Sequence, residues 1–198
     1  YMPNTIETVE AFIATTSLGG IWSSCSPDFG SKGVIERFSQ INPKILFITD
    51  QYFYNGKKID VLNRLPEILK LIPSIKSVVI SNYPGKKFIK FKYKFKKINL
   101  FKWNELMQTN VEKIDFKRFD FETELAILYS SGTTGKPKCI CHRSGGVLIQ
   151  HMKEHQLHCN IKENDNVFYF TTCGWMMWNW LVSSLASRAS IVLFDGSP

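Results

Sequence analysis

Ten consecutive residues, Tyr129-Ser130-Ser131-Gly132-Thr133-Thr134-Gly135-Lys136-Pro137-Lys138, gather four Ser/Thr hydroxyls, two glycines and two lysines into one short stretch. Glycine lets a backbone approach a ligand closely and adopt positive φ. Successive backbone N–H groups in such a turn form a concavity that binds anions. Ser and Thr hydroxyls add donors, and lysine supplies a compact charge suited to phosphate. The chemistry indicated is the grip of a polyphosphate such as ATP. Spacing narrows the kind of loop. A Walker A loop has four residues between its glycines and then Gly-Lys-Ser/Thr. Here two residues separate Gly132 from Gly135, and proline follows Lys136. Nor is this the Gly-x-Gly-x-x-Gly turn of dinucleotide sites. A polar surface turn would draw on the same residue types, but not in this density between two apolar runs and closed by Pro137-Lys138.

Such a loop needs a rigid element to deliver it. Leu125-Ala126-Ile127-Leu128 reads as a buried strand ending at the loop. Other apolar runs, Ile45 to Ile48, Ile75 to Ile80, Asn166 to Thr171 and Ser190 to Asp195, also read as strands, and Gly20 to Ser24 as a short one. A continuous apolar run suits a strand covered on both faces. Between them lie helical patterns. Asn4 with Glu7 resembles a capping box, followed by Ile6, Val9 and Ile13 on one face and a stop at Gly19. Val34, Phe38 and Ile41 mark a second helix halted by Asn42-Pro43. Val61, Leu65, Ile68, Leu69 and Ile72 mark a third, which Pro66 either breaks or opens. Two more are expected from Ser144 to about His158 and over 176–187, whereas 108–122 reads as irregular. Strands alternating with helices argue for an α/β fold, parallel β-sheet layers with flanking helices. Ligands then bind beyond the carboxyl ends of the strands, where the loop is expected to sit.

Composition excludes several classes. The 198 residues are 44% hydrophobic, enough for a core, and no apolar run approaches 18 residues, so a membrane helix is not expected. Five cysteines form neither a C-x-x-C nor an even disulfide set and read as reduced thiols of the cytoplasm. The net charge of +8 invites a nucleic-acid reading, but seven of the lysines lie in Lys86–Lys97, without an acid. There Lys90, Lys92 and Lys94 alternate with Phe91, Tyr93 and Phe95, the period of a strand with lysines on one face. An edge strand guarded against aggregation is expected, with a patch attracting ligand phosphates or an anionic partner as the functional alternative; nucleic acid is not expected as a partner. His151, His155 and His158 lack the His-Glu-x-x-His pattern and read as partly exposed helix residues, not a metal site. Asp28 reads as a turn acceptor and Asp195 as a turn cap.

The loop, Ser-Ser-Gly-Thr-Thr-Gly-x-Pro-Lys without a gap, resembles the signature of the adenylate-forming superfamily of acyl-CoA synthetases, luciferases and peptide-synthetase adenylation domains. Three further blocks, Ser26-Pro27-Asp28-Phe29-Gly30, Cys139-Ile140-Cys141-His142 and Gly174-Trp175-Met176-Met177-Trp178-Asn179-Trp180, resemble its acetoacetyl-CoA synthetase branch. The resemblance covers nearly the whole chain and is weakest over 81–120. It implies part of a large AMP-binding N-terminal domain, with a basic strand at about 86–97 and the C-terminal domain lying outside the 198 residues. It implies ATP, Mg²⁺ and CoA as cofactor and co-substrates, and acetoacetate as the acid. By the same resemblance Ser130, Ser131, Gly132, Thr133, Thr134, Gly135 and Lys138 hold phosphates, and Trp175, Met176, Met177 and Trp178 line the acyl pocket, with Trp175 as the gating aromatic. No general base is implied, because the attacking carboxylate is already ionised. A sister enzyme for acetate or propionate, or a non-catalytic nucleotide-binding module, fits the same residues. The branch commonly has glycine where this chain has Arg188, which leaves open whether the turn needs positive φ.

Overall fold

In the computed structural model, which describes residues 1–89, 93–130 and 135–197, a parallel three-stranded sheet is built from the apolar runs. The elements in chain order are α1 (Ile6–Ser17), α2 (Gly30–Phe38), β1 (Ile45–Thr49), β2 (Gln51–Tyr54), β3 (Lys57–Asp60), α3 (Leu65–Leu71), β4 (Ser77–Ser81), β5 (Asn99–Lys102), α4 (Trp103–Leu106), β6 (Glu124–Tyr129), β7 (Cys139–Arg143), α5 (Ser144–Lys153), β8 (Asn166–Phe168), α6 (Met176–Ser183) and β9 (Ser190–Val192). The sheet runs β1-β4-β5, all parallel, with Leu46 opposite Val78 and Val78 opposite Leu100. A second parallel pair joins β8 to β9. The crossovers carry α3 and α6, as an α/β fold requires.

Strand alternation sorts the core into two layers. Leu46, Ile48, Val78 and Ile80 pack with Val34 and Phe38 of α2 and Leu65 and Ile68 of α3. Phe47, between Leu46 and Ile48, faces the other way, 6.0 Å from Trp22 and 6.2 Å from Trp103. That second layer holds Val9 and Phe12 of α1, Ala126 of β6 and Trp178 of α6. Pro66 opens the α3 helix, where its missing N–H is harmless.

Several expectations are corrected. The buried face of α1 is Thr8, Val9, Ala11 and Phe12, whereas Ile6 and Ile13 are exposed. Asn4 caps nothing: the N-cap is Thr5, and the Asn4 amide reaches across the fold instead. The 20–24 strand shrinks to one parallel bridge, Trp22 with Ala126. Two pairs are antiparallel: β2 with β3, joined by Asn55-Gly56, and β6 with β7. Within 86–97 the described residues, 86–89 and 93–97, contain no strand; Lys90, Phe91 and Lys92 lie outside the described residues. Phe88 and Phe95 pack on the first core layer, and Ile89 N–H donates to the buried Asp50 carboxylate at 3.0 Å. Aromatics anchored inward in this way do not need a period of two. Among the described residues no helix is long and apolar enough to cross a membrane.

Candidate functional site

The expected phosphate loop is the tip of a hairpin. Ala126 and Leu128 of β6 are buried, and Trp22 holds the strand's other edge, with Ile127 N–H donating to Trp22 O at 2.8 Å. The partner β7 is antiparallel, with Tyr129 opposite Cys139. The loop therefore leaves one strand and returns on its neighbour, which corrects the expectation of a parallel strand leading into a crossover. Its neck is pinned by two bonds: Ser130 N–H donates to Lys138 O at 3.0 Å, and Lys138 N–H to Ser130 Oγ at 3.1 Å. The Ser130 oxygen is thus partly committed to the loop itself, while its proton stays available to a ligand. Pro137 is buried, and its carbonyl accepts from Gln40 Nε2 at 2.9 Å. Gly135 has φ 141°, a conformation that favours glycine, and a Cβ there would meet nothing within 4 Å. The Lys138 side chain is exposed. Ser131, Gly132, Thr133 and Thr134, four of the seven expected phosphate contacts, lie outside the described residues.

Sequence reasoning passed over the neighbours that stiffen this loop. The Tyr129 hydroxyl lies 2.9 Å from Ser23 Oγ, and burial pushes its phenol pKa up. The Arg37 guanidinium sits 4.3 Å from the Phe29 ring centroid and 5.8 Å from that of Tyr129. The signal available was a tyrosine at the last strand position before the glycines.

The aromatic block splits. Trp175 is the N-cap of α6 and is 55% exposed; Met176 is 47% exposed and Met177 half-buried, all compatible with lining a pocket. Trp178 is fully buried, 5.5 Å from Phe12 and 6.5 Å from Trp22, and its indole N–H donates to Asn4 Oδ1 at 2.9 Å. This corrects its expected place in the acyl pocket: helical spacing turns residue 178 to the core while 176 and 179 share another face. Two cavities matter. The larger, about 580 Å³, lies between α1 and β1, is mainly apolar, and touches none of the expected site residues. A small one, about 10 Å³, is lined by Leu128 of the phosphate hairpin, Val147 and His151 of α5, and Met176 and Asn179 of α6. It lies between α6 and the strand that leads into the loop, and none of residues 130–138 lines it.

His151 and His155 are more buried than expected, whereas His158 is exposed. His151 Nδ1 lies 2.8 Å from Ser183 Oγ, and burial, then His155, lowers its pKa to about 4. His155 is fully buried against Trp180, 4.5 Å away between centroids, without a well-formed hydrogen bond at either nitrogen. Burial lowers its pKa, partly offset by the Trp180 backbone and Glu154. Asp195 caps no local turn; its carboxylate accepts from Asn4 N–H at 3.0 Å and Tyr83 OH at 2.9 Å, and burial raises its pKa against those bonds. Cys25 and Cys173 are buried free thiols with pKa values pushed up to about 12, which makes them inert.

Comparison with known proteins agrees with this geometry. The family described as AMP-binding enzyme matches residues 1–198. The acetoacetyl-CoA synthetase of Gallus gallus is 47% identical over 203 residues, and the acetoacetyl-coenzyme A synthetase of Rhizobium meliloti (strain 1021) 47% identical over 197. Each alignment covers the whole of this chain and 30% of the relative, so the chain spans under a third of the length of these relatives. The solved structure of acetoacetyl-CoA synthetase from Streptomyces lividans superposes with a TM-score of 0.90 at 39% identity, covering 100% of this chain and 29% of that one. With the family matched along its whole length and the hairpin loop in place, the chain belongs to the AMP-binding enzyme family.

Proposed function

We propose that the full-length protein joins acetoacetate to CoA in two steps. An acetoacetate carboxylate oxygen attacks the α-phosphorus of ATP; the bond to the β-phosphate oxygen breaks and pyrophosphate leaves. The CoA sulfur then attacks the acyl carbon, the bond to AMP breaks, and the thiol proton is released. The first step brings an anion toward a polyanion, so fixed donors and positive charge must offset repulsion. The loop residues Ser130, Ser131, Gly132, Thr133, Thr134, Gly135 and Lys138 would hold the β- and γ-phosphates and the departing pyrophosphate. Trp175, Met176 and Met177 would border the acyl chain. The single observation that carries the reading is the AMP-binding enzyme family match over residues 1–198; the small cavity between α6 and β6, the strand that leads into the phosphate loop, supports placing the acyl end near the phosphate end. The names of the relatives support acetoacetate as the acid.

Magnesium is expected with ATP. No group of three or more His, Cys, Asp or Glu among the described residues could hold a metal ion, so these residues form no magnesium cage and no step is assigned to it. We place residues 1–198 inside a larger AMP-binding N-terminal domain, and its free thiols suit the cytoplasm. The test is acid-dependent exchange of labelled pyrophosphate into ATP by the full-length protein, followed by CoA thioester formation. Exchange with acetoacetate is expected; its absence overturns the reading.

A further inference from the structure

Two side-chain donors on α6 could serve an oxygen on the acyl chain, the Trp178 indole and the Asn179 amide, and their surroundings separate them. The Trp178 N–H is already given to Asn4 Oδ1. Asn179 is 6% exposed, and among the described residues neither its Oδ1 nor its Nδ2 has a hydrogen-bond partner. Buried amides are paired in the great majority of cases, and an orphan carries its full desolvation penalty. The packing of the described residues supplies no partner, which leaves the amide open to a ligand. Helical side chains lean toward the helix N-terminus, so Asn179, one turn into α6, lies over the turn that begins at Met176. Both residues line the 10 Å³ cavity, which has room for about one polar atom or one water. Met176, half exposed and flexible, forms its outer wall.

The cavity also selects by charge. No Lys, Arg, Asp or Glu lines it. Ser183 Oγ donates to Trp180 O at 2.8 Å, so it accepts from His151, which assigns the His151 proton to Nδ1 and leaves Nε2 an acceptor on a neutral ring. A second carboxylate here would be buried with no Lys or Arg to pair with, facing only the imidazoles of His142 and His151. A saturated acid would leave Asn179 unpaired. A neutral carbonyl oxygen accepts from the amide's Nδ2 and needs no countercharge.

We infer that Asn179 is a specificity-determining residue, its Nδ2 donating to the 3-oxo oxygen of a β-keto acid at the inner end of the acyl pocket. The inference rests on the ligase reading above. In the absence of acid a single water takes the same place and is displaced on binding. Sites built to hydrogen-bond a substrate group discriminate steeply against analogues that lack it.

The test measures kcat/KM for acid-dependent pyrophosphate exchange by the full-length protein with acetoacetate and with butyrate, its saturated counterpart. Asn179→Leu, close in volume and without polar atoms, is expected to lower the acetoacetate-to-butyrate ratio by at least about tenfold. Asn179→Ala, which adds no bulk, reads the same ratio should the leucine variant not fold. A smaller fall in the ratio, or a wild type that prefers butyrate, overturns the inference and leaves the ligase reading standing. Activation of neither acid overturns both.

Discussion

Asn4 uses one side chain to hold three distant segments. Its Nδ2 donates to Phe194 O at 3.0 Å and Thr171 O at 3.4 Å, and its Oδ1 accepts the Trp178 indole. Removing it orphans a buried indole N–H and two carbonyls, each worth about 1–3 kcal/mol when left unpaired. Water reaching the cavity would offset part of that. Asn4→Ala is therefore expected to destabilise the full-length protein by about 2–4 kcal/mol, read as a fall in urea midpoint at unchanged m-value. Lys138 is the contrasting case, an exposed residue to which the proposed function gives a chemical task. Pyrophosphate is engaged only in the first half-reaction, so Lys138→Ala should slow adenylation by about 10²–10³, or 2–4 kcal/mol, and spare thioester formation from synthetic acyl-adenylate. Equal losses in both half-reactions would remove the lysine from the phosphate site. The sequence made Lys138 legible because its motif is contiguous. It misplaced Asn4 because Asn-x-x-Glu is a local pattern, whereas the partners of Asn4 lie more than 160 residues away. Trp178 was misplaced for the same reason: a motif assigned the whole block one role, and helix geometry divided it.

At the scale of elements, the apolar runs at β1, β4 and β6 and the helices α2, α3 and α6 were readable from periodicity. The β2–β3 hairpin was not read, although Asn-Gly between short apolar runs is a strong hairpin signal. Asn55 has φ 47° and Gly56 φ 71°, the left-handed pair that a type I′ turn demands. A Cβ on Gly56 would meet nothing within 4 Å, so Gly56→Ala tests backbone conformation without a clash. It should cost about 1–2 kcal/mol, seen as a lower thermal midpoint; an unchanged midpoint would mean that the turn relaxes to another type. Arg188 is the matching surprise in the other direction. The resemblance put glycine at this turn and left open whether it needs positive φ; Arg188 adopts φ 60°, ψ 21°. Its Glu163 contact at 3.0 Å is exposed and offsets little of that strain. The antiparallel course of β6 and β7 could not be read, because the same apolar runs flank a hairpin tip and a crossover loop. The turn of π-helix at Glu154–His158 left no pattern in the sequence either.

For the molecule as a whole, the α5–α6 contact is a buried polar seam, and it makes stability depend on pH. His151 and His155 are held neutral, His151 with its pKa lowered by burial to about 4 and His155 lowered in the same direction. An imidazole with a lower pKa in the folded state binds its proton more readily once the chain unfolds. Between the unfolded value near 6.5 and the folded value of about 4, unfolding therefore takes up protons, and stability falls as pH falls. Around His151 the facing charges partly cancel: His155 and His142 push its pKa down, and Glu154 pushes it up. Asp195 works in the opposite sense, because its raised pKa favours the folded state at low pH and loses that contribution as pH rises above its unfolded value near 3.8. The histidines act first on acidification, since their window opens near 6.5. His151→Asn keeps a donor for Ser183 Oγ but cannot titrate. The thermal midpoint of the wild-type full-length protein should accordingly fall more steeply than that of His151→Asn between about pH 7 and about pH 5. Parallel curves would mean that His151 binds its proton as readily in the folded as in the unfolded chain. The seam would then charge on acidification below its unfolded value near 6.5, and the uncharged lining that favours a carbonyl beside Asn179 would be lost there.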